Sequence, residues 1–172
     1  NILCVYRACL ELDIEPAKIL EAFKSYGGLA HRQYLVTKID EVTYINDSKA
    51  TNAEAAAKAL SSYNNVFWII GGRSKEGGLR GLSEFKSKII KTYLIGEASD
   101  EFAEWLDKHN MIYERCGELD KATEQAHIDA QDLDAPATVL LSPACASWDQ
   151  FSSFEKRGDA FMNKVKELEQ NS

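Results

Sequence analysis

A short apolar run, VFWII at residues 66–70, constrains the fold more than any other feature of the sequence. An uninterrupted run of this kind predicts a strand that is buried on both faces. Further strands are predicted at TYLIG (92–96), MIYER (111–115) and ATVLLS (137–142). Helical patterns lie between the strands or after the last one, at residues 83–90, 100–109, 120–131 and 151–168. Strands that alternate with helices predict an α/β domain, with a mostly parallel sheet and helices on both faces.

The first part of the chain has a different pattern. Residues 1–28 are predicted to form two helices, and Pro16 stands in the first turn of the second, where its missing N–H does no harm. Residue 1 already continues a helical pattern without a capping residue, so we expect that a longer protein precedes it. We therefore expect a boundary near residue 30, between a helical remnant at 1–29 and a domain at 30–172.

That second domain is predicted to begin with a β-hairpin. Two alternating runs, 34–39 and 42–45, flank the short turn at Asp40 and Glu41. A helix at 53–60 is expected to follow. No internal repeat or low-complexity segment competes with this interpretation.

Charge and composition exclude several classes of protein. The formal net charge is −7, which argues against nucleic acid or an anionic membrane as the main partner. No apolar run of about 18 residues and no signal peptide are visible, so we expect no membrane span. We also expect a cytoplasmic, monomeric protein. The four cysteines contain no C-x-x-C pair and the three histidines are scattered. We expect reduced thiols and no zinc site.

Polar or glycine-rich segments follow the predicted strands. They are NDSKATN (46–52), GGRSKEGG (71–78), GEASD (96–100) and SPACASWDQF (142–151). In open parallel sheets, ligands bind beyond the carboxyl ends of the strands. The sequence therefore predicts that four loops line one shared site.

The segment NDSKATN allows two interpretations. Thr51 and Glu54 fit a capping box at the start of the following helix. Lys49 is not explained in that way, because a cation near a helix N-terminus opposes the helix dipole. A bound anion would reverse the sign of that interaction. Asp47, Lys49 and Thr51 would share one side of an extended backbone, so the pattern favours an anion site.

The other loops are less specific. Arg73 and Lys75 add positive charge after a strand, although this loop taken alone is better explained as an exposed turn with solvated charges. Ser147 can be an N-cap with Asp149 in the first turn. Cys145 has no histidine near it in sequence, so a buried structural thiol is expected.

Taken in order, the motifs HR (31–32), NDSKATN, GGRSK and LSPACASWDQFSSFEKRG resemble the C-terminal part of the Mur ligases, and most closely their D-glutamate-adding member. The resemblance covers essentially the whole chain. It implies a Rossmann-like α/β domain at 30–172, preceded by the last two helices of the family's central, ATP-binding domain. It also implies a role in peptidoglycan precursor synthesis, and hence in cell shape and division.

The resemblance implies a reaction as well. ATP phosphorylates the carboxylate of UDP-N-acetylmuramoyl-L-alanine, and the amine of D-glutamate then displaces phosphate to form an amide. The family's P-loop, carbamylated lysine and Mg²⁺ ligands would all lie upstream of residue 1. We therefore expect the chain alone to be inactive.

Site residues follow from the motif matches. Asp47 would hold the nucleotide ribose, while His31, Arg32 and Asn1 would lie near the nucleotide. Lys49 and Arg32 would be catalytic and face the phosphates. D-glutamate would be bound by Thr51, Lys75, Ser147, Trp148 and Phe154. Two residues depart from the usual family pattern, in which Pro is common at Ala30 and Leu at Trp148.

Two other functions stay open at this point. Within the enzyme class, the chain can belong to another Mur ligase or to a folylpolyglutamate synthetase. Outside it, the chain can be a stand-alone α/β module that binds an anion without catalysis. A natural start codon at residue 1 would favour the binding module over the ligase.

Overall fold

Six strands form one sheet in the order β1-β2-β6-β3-β4-β5. The computed structural model describes residues 2–171. The strands are β1 (Tyr34–Ile39), β2 (Val42–Asn46), β3 (Val66–Gly71), β4 (Ile89–Ile95), β5 (Tyr113–Gly117) and β6 (Ala137–Leu141). The α-helices are α1 (Ile2–Glu11), α2 (Pro16–Ser25), α3 (Ala53–Ser62), α4 (Ser99–Lys108), α5 (Leu119–Gln131) and α6 (Phe154–Asn171).

The sheet is parallel except at its first edge. β1 pairs with β2 in the antiparallel sense, as the predicted hairpin requires, and every other pairing is parallel. β3 lies between β6 and β4, and all six of its residues are buried. The apolar run VFWII therefore forms the doubly buried strand that its sequence predicts.

Helices cover both faces of this sheet, because successive side chains of a strand point to opposite faces. Trp68 and Ile70 pack into a core with α3, α4 and the 3-10 helix Leu82–Lys88. Phe67 and Ile69 pack into a second core with α5 and α6. The predicted fold class, a mostly parallel sheet with helices on both faces after an initial hairpin, is confirmed.

Three predicted boundaries are corrected by the structure. The segment 83–90 is not an α-helix, since it forms the 3-10 helix and the start of β4, where Ile89 pairs with Val66. β5 begins at Tyr113 because the amide of Met111 still bonds to the end of α4, at Leu106 O. α6 begins at Phe154 rather than at residue 151, because residues 147–151 form a hydrogen-bonded turn.

The two predicted N-terminal helices are present as α1 and α2, with Pro16 as the first residue of α2. Their apolar side chains are largely exposed, and Ile19 is the buried residue of the pair. The division of the chain into 1–29 and 30–172 stays a prediction. Within residues 2–171, no helix combines the length and the apolar composition needed to cross a membrane. The four cysteines are unbridged thiols.

Candidate active site

The loops after β2, β3, β4 and β6 meet at the carboxyl edge of the sheet. Backbone hydrogen bonds join them, and Arg73 pairs with Ala146 as an isolated antiparallel bridge. Gly72 N also donates to Ile95 O at 3.1 Å. Gly72 has a φ of 124°, and a Cβ at this position would lie 2.3 Å from Ala146 O. Only glycine therefore allows the loops after β3 and β6 to approach this closely.

Asp47 is a buried carboxylate directly after β2, with 4% of its surface exposed. Ser142 Oγ donates to its Oδ2 at 2.8 Å, and Gln33 N donates to its Oδ1 at 3.1 Å. Burial raises the pKa of Asp47 to about 6, although both hydrogen bonds and the nearby Arg32 act in the opposite direction. The carboxylate is thus oriented by fixed donors and held in an environment that disfavours its charge.

A cleft of about 300 Å³ opens beside Asp47, and we call it the first cleft. It is lined by Arg32, Gln33, Asp47, Lys49, Ala50, Ala55 and Lys58. Three of these side chains are cationic and one is the buried carboxylate. An arrangement of this kind can receive a ligand that carries both anionic groups and hydroxyls.

A second cleft of about 170 Å³ lies between the loops after β2, β3 and β6. Its lining residues are Thr51, Lys75, Ala146, Ser147, Trp148 and Phe154. The structure therefore brings together the five residues that the sequence predicts for binding of D-glutamate. Lys75 supplies the cation of this cleft, while two hydroxyls and two aromatic rings supply the rest.

Lys49 and Phe154 lie between the two clefts. Lys49 lines the first cleft, and its Nζ stands 4.6 Å from the centre of the Phe154 ring, which lines the second. This cation–π contact holds the ammonium where the two clefts meet. The structure thus places Lys49 between the residues predicted for the nucleotide and those predicted for the amino acid.

His31 is enclosed by protein groups rather than exposed to the first cleft. Its Nδ1 is 3.1 Å from Asn46 Nδ2, and its Nε2 is 3.7 Å from Asp159 Oδ1. A Cβ at Gly158 would lie 2.1 Å from His31 Nδ1, so the ring fits only because residue 158 is glycine. The His31 carbonyl accepts from Lys49 N at 2.9 Å, which ties the segment before β1 to the loop after β2. Asn1 lies outside the described residues.

Known proteins with similar sequences point to one kind of enzyme. UDP-N-acetylmuramoylalanine–D-glutamate ligase of Rhizobium meliloti is 51% identical over 170 residues, 98% of this chain and 36% of the relative. The protein of the same name from Paramagnetospirillum magneticum is 47% identical over 171 residues, 99% of this chain and 37% of the relative. No family model matches the chain.

The chain is thus similar, over nearly its whole length, to one segment of ligases of this name. It spans about a third of the length of the curated relatives that it matches. MurF from Acinetobacter baumannii superposes with a TM-score of 0.62 and 16% identity, over 92% of this chain and 35% of that one. A bifunctional folylpolyglutamate synthase/dihydrofolate synthase from Yersinia pestis gives 0.54 and 21%, over 83% and 32%. At these identities the two structures support the fold alone.

One predicted helix cap is wrong. Asn52, not Thr51, is the N-cap of α3, and its side chain accepts from Ala55 N at 2.8 Å. Asn52 stands in an extended conformation directly before the helix, which is the geometry of a capping residue. Thr51 is one residue too early to cap, and its side chain lines the second cleft instead.

The predicted N-cap role of Ser147 is also wrong. No helix starts at this position, and the Ser147 carbonyl accepts from Phe151 N at 2.8 Å to close a turn. Ser147 is buried and lines the second cleft. Cys145 is fully buried, and burial raises the pKa of its thiol to about 12, which confirms a structural thiol.

The positive charge of Arg73 is already paired. Its Nε and Nη2 each lie 3.1 Å from one carboxylate oxygen of Glu97, in a half-exposed bidentate contact. Glu97 raises the pKa of Arg73, and Arg73 lowers that of Glu97. Lys75 is consequently the cation that the loop after β3 contributes to the second cleft.

Arg157 lies behind the candidate site and has no predicted role from the sequence. Its side chain is 1% exposed and donates to Ser48 and Cys145, in the loops after β2 and β6, and to Gly71 at the end of β3. Burial lowers the pKa of Arg157 to about 10, so the guanidinium is charged at neutral pH. The missed signal is its position: Arg157 precedes Phe161 and Val165 at intervals of four, within the apolar stripe of α6.

Residues 2–171 contain no group of three or more His, Cys, Asp or Glu side chains able to hold a metal ion. The two clefts contribute cations and one buried carboxylate, a set that suits phosphate and carboxylate groups better than a bare divalent ion.

Proposed function

We propose that the chain forms one wall of the active site of an ATP-dependent ligase that adds D-glutamate to UDP-N-acetylmuramoyl-L-alanine. The observation that carries the proposal is the second cleft, where Thr51, Lys75, Ser147 and Trp148 come together from three loops, with Phe154 at the start of α6. Curated relatives at 42–51% identity bear the name of this ligase, which favours it over another Mur ligase or a folylpolyglutamate synthetase.

The first cleft suits the nucleotide in this proposal. Asp47 has its oxygens oriented by Ser142 and Gln33, and a carboxylate so held can accept hydrogen bonds from ribose hydroxyls. Arg32 and Lys49 line the same cleft and supply charge for phosphate oxygens. Asn1, proposed to lie near the adenine, is part of the same assignment.

The second cleft suits an amino acid with two carboxylates. Lys75 would pair with one carboxylate of D-glutamate, and the Thr51 and Ser147 hydroxyls would donate to its oxygens. The amine would then point towards Lys49, at the junction with the first cleft. Trp148 is 68% exposed at the rim, where its side chain can shield the bound amino acid from water.

The chemistry requires the phosphorylated carboxylate and the amine to meet at that junction. The amine nitrogen of D-glutamate forms a bond to the acyl carbon, the bond from that carbon to the phosphate oxygen breaks, and the nitrogen loses a proton. Inorganic phosphate leaves with the electron pair of the broken bond. Lys49 and Arg32 would neutralise the crowded oxygens, so that catalysis rests on positioning and electrostatics. Mg²⁺ would be held outside residues 2–171 and would screen the phosphates.

Substitution of Lys75 tests the assignment of the second cleft. In a full-length ligase that contains this segment, Lys75→Met removes a charge-assisted contact, so KM for D-glutamate should rise roughly tenfold to a hundredfold. KM for ATP should change much less, because Lys75 does not line the first cleft. Steady-state kinetics with each substrate varied in turn provides the measurement.

Lys121→Met is the matched control, since Lys121 is an exposed lysine on α5 that lines neither cleft. It should leave both KM values unchanged. Equal increases in both KM values for Lys75→Met would contradict the role of Lys75. A wild-type enzyme that binds ATP and D-glutamate but forms no amide would instead favour the binding module.

A cytoplasmic, monomeric enzyme without nucleic-acid or membrane partners stays a prediction from the sequence.

A further inference from the structure

We propose that Arg157 is a positioning residue that holds the two clefts in one fixed arrangement. This inference rests on the proposed function, because it assigns a role in the same site. Arg157 lies behind the loops, lines neither cleft and so does not touch a substrate in either of them. It would act through the backbone of the segments that carry the binding residues.

The guanidinium contacts three segments at once. Nε donates to Ser48 Oγ at 3.0 Å, and Nη2 donates to Ser48 O at 2.9 Å and to Cys145 O at 3.1 Å. Nη1 approaches Gly71 O at 3.5 Å. The planar fork of an arginine can direct donors to separate backbones simultaneously, whereas the single ammonium of a lysine cannot span them.

Two of the three contacted residues lie in loops that line the clefts. Ser48 stands between Asp47 and Lys49 in the loop after β2. Cys145 precedes Ser147 by two residues in the loop after β6. A displacement of either loop would therefore move residues of a cleft, and misplacement by about 1 Å can cost a hundredfold in rate.

Ser48 extends the connection to the aromatic ring between the clefts. Its hydroxyl accepts from Arg157 and donates to Phe154 O at 2.7 Å. Phe154 lines the second cleft and supports the Lys49 ammonium. One guanidinium and one hydroxyl thus connect Lys49, its supporting ring and the loop of Ser147.

Burial energetics favour this role over simple packing. The acceptors of Arg157 are a hydroxyl and three carbonyls, all neutral, so desolvation of the charge is not offset by an ion pair at hydrogen-bond distance. Phe161 and Val165 show that this stripe of α6 accepts apolar side chains. An apolar residue would fill the position without the desolvation cost, but it would leave the loop backbones unconnected.

Kinetics of a full-length ligase that carries Arg157→Lys tests the proposal. KM for D-glutamate and KM for ATP should rise together, each roughly tenfold or more, because both clefts depend on the same anchor. Lys75→Met, in contrast, should raise mainly KM for D-glutamate. Lys156→Met is the control, since Lys156 is exposed on the same turn of α6, and its kinetics should match wild type.

A merely structural role would lower the melting temperature of Arg157→Lys but leave both KM values of the folded enzyme unchanged, and that result would overturn the proposal.

Amide hydrogen exchange gives a readout that does not need ligation. Exchange at residues 47–52, 72–78 and 144–149 should accelerate together in Arg157→Lys and Arg157→Met, relative to Lys156→Met. Acceleration in only one of these loops, or in none, would contradict a common anchor. A wild-type enzyme without ligase activity would refute the proposed function, while the exchange data would still decide whether Arg157 anchors the loops.

Discussion

At the scale of single residues, Asp47 shows how a site residue can weaken the fold that holds it. A pKa raised from 3.8 to about 6 corresponds to roughly 3 kcal/mol that disfavours the charged, folded state at neutral pH. The folded state binds the proton more tightly than the unfolded state does, so this penalty is absent well below pH 3.8. It grows as pH rises and is complete above about pH 6.

Asp47→Asn should therefore stabilise the protein while it weakens use of the nucleotide. The asparagine can accept from Gln33 N and donate to Ser142 Oγ, so the buried hydrogen bonds persist without the charge. At pH 8 the free energy of unfolding should rise by about 1–3 kcal/mol, and the gain should shrink as pH falls to 4. Urea unfolding across this pH range provides the measurement.

The same substitution should raise KM for ATP in a full-length ligase roughly fivefold to tenfold, because a neutral acceptor replaces a charged one. Asp134→Asn, an exposed position in the turn before β6, is the control and should alter neither stability nor KM. A loss of stability in Asp47→Asn at pH 8 would show that the carboxylate is compensated better than its burial implies.

At the scale of elements, the start of α3 places a residue that caps the helix directly after one that lines the second cleft. Asn52 accepts from Ala55 N and caps the helix, while Thr51 lines the second cleft. Adjacent side chains of this short segment therefore differ in role: one caps a helix, and the other is proposed to bind D-glutamate. The sequence suggests a single residue for both tasks, because S/T-x-x-E is a common capping pattern.

Two alanine substitutions should separate the effect of the cap on stability from the effect of the cleft residue on substrate use. Asn52→Ala should lower the free energy of unfolding by about 1 kcal/mol through loss of the cap. Thr51→Ala should leave stability within about 0.5 kcal/mol of wild type, as for most substitutions outside a cap or core, and should raise KM for D-glutamate. Chemical unfolding and steady-state kinetics of the two variants provide the comparison. The reverse pattern, with the larger loss of stability in Thr51→Ala, would support Thr51 as the helix cap.

Much of the fold could be predicted because it follows regular sequence patterns. Single long-range contacts could not be predicted, because they leave no such pattern. The run at 66–70 predicts β3 because a strand that is buried on both faces has an apolar side chain at every position. The loops of the site were predictable because parallel strands deliver them to one edge. Arg157 was not assigned a role because its partners are backbone carbonyls 12, 86 and 109 residues away, which no local spacing reveals.

At the scale of the whole molecule, a net negative chain forms two clefts whose lining side chains are net positive. The formal charge is −7, yet Arg32, Lys49 and Lys58 line the first cleft and Lys75 lines the second. The clefts are clustered at the carboxyl ends of the strands, where anions are received in this architecture. The cations of the clefts are thus a local exception to the net negative charge of the chain.

The last prediction is that residues 1–172 alone do not form the amide. The described part of the chain has cations for phosphate and carboxylate groups but no cluster that would hold Mg²⁺. The sequence also lacks the G-x-x-x-x-G-K-[ST] loop that would cradle the phosphates. Both clefts are open grooves, so reactants bound there would lack a second wall to orient them.

A ligation assay with ATP, D-glutamate and UDP-N-acetylmuramoyl-L-alanine tests this directly, with a full-length ligase as the positive control. The chain alone should release no phosphate above background, although its loops keep their arrangement because Arg157 and its partners lie within it. Amide formation by residues 1–172 would show that one wall suffices. It would also require a source of phosphate activation within this chain that the two clefts do not provide.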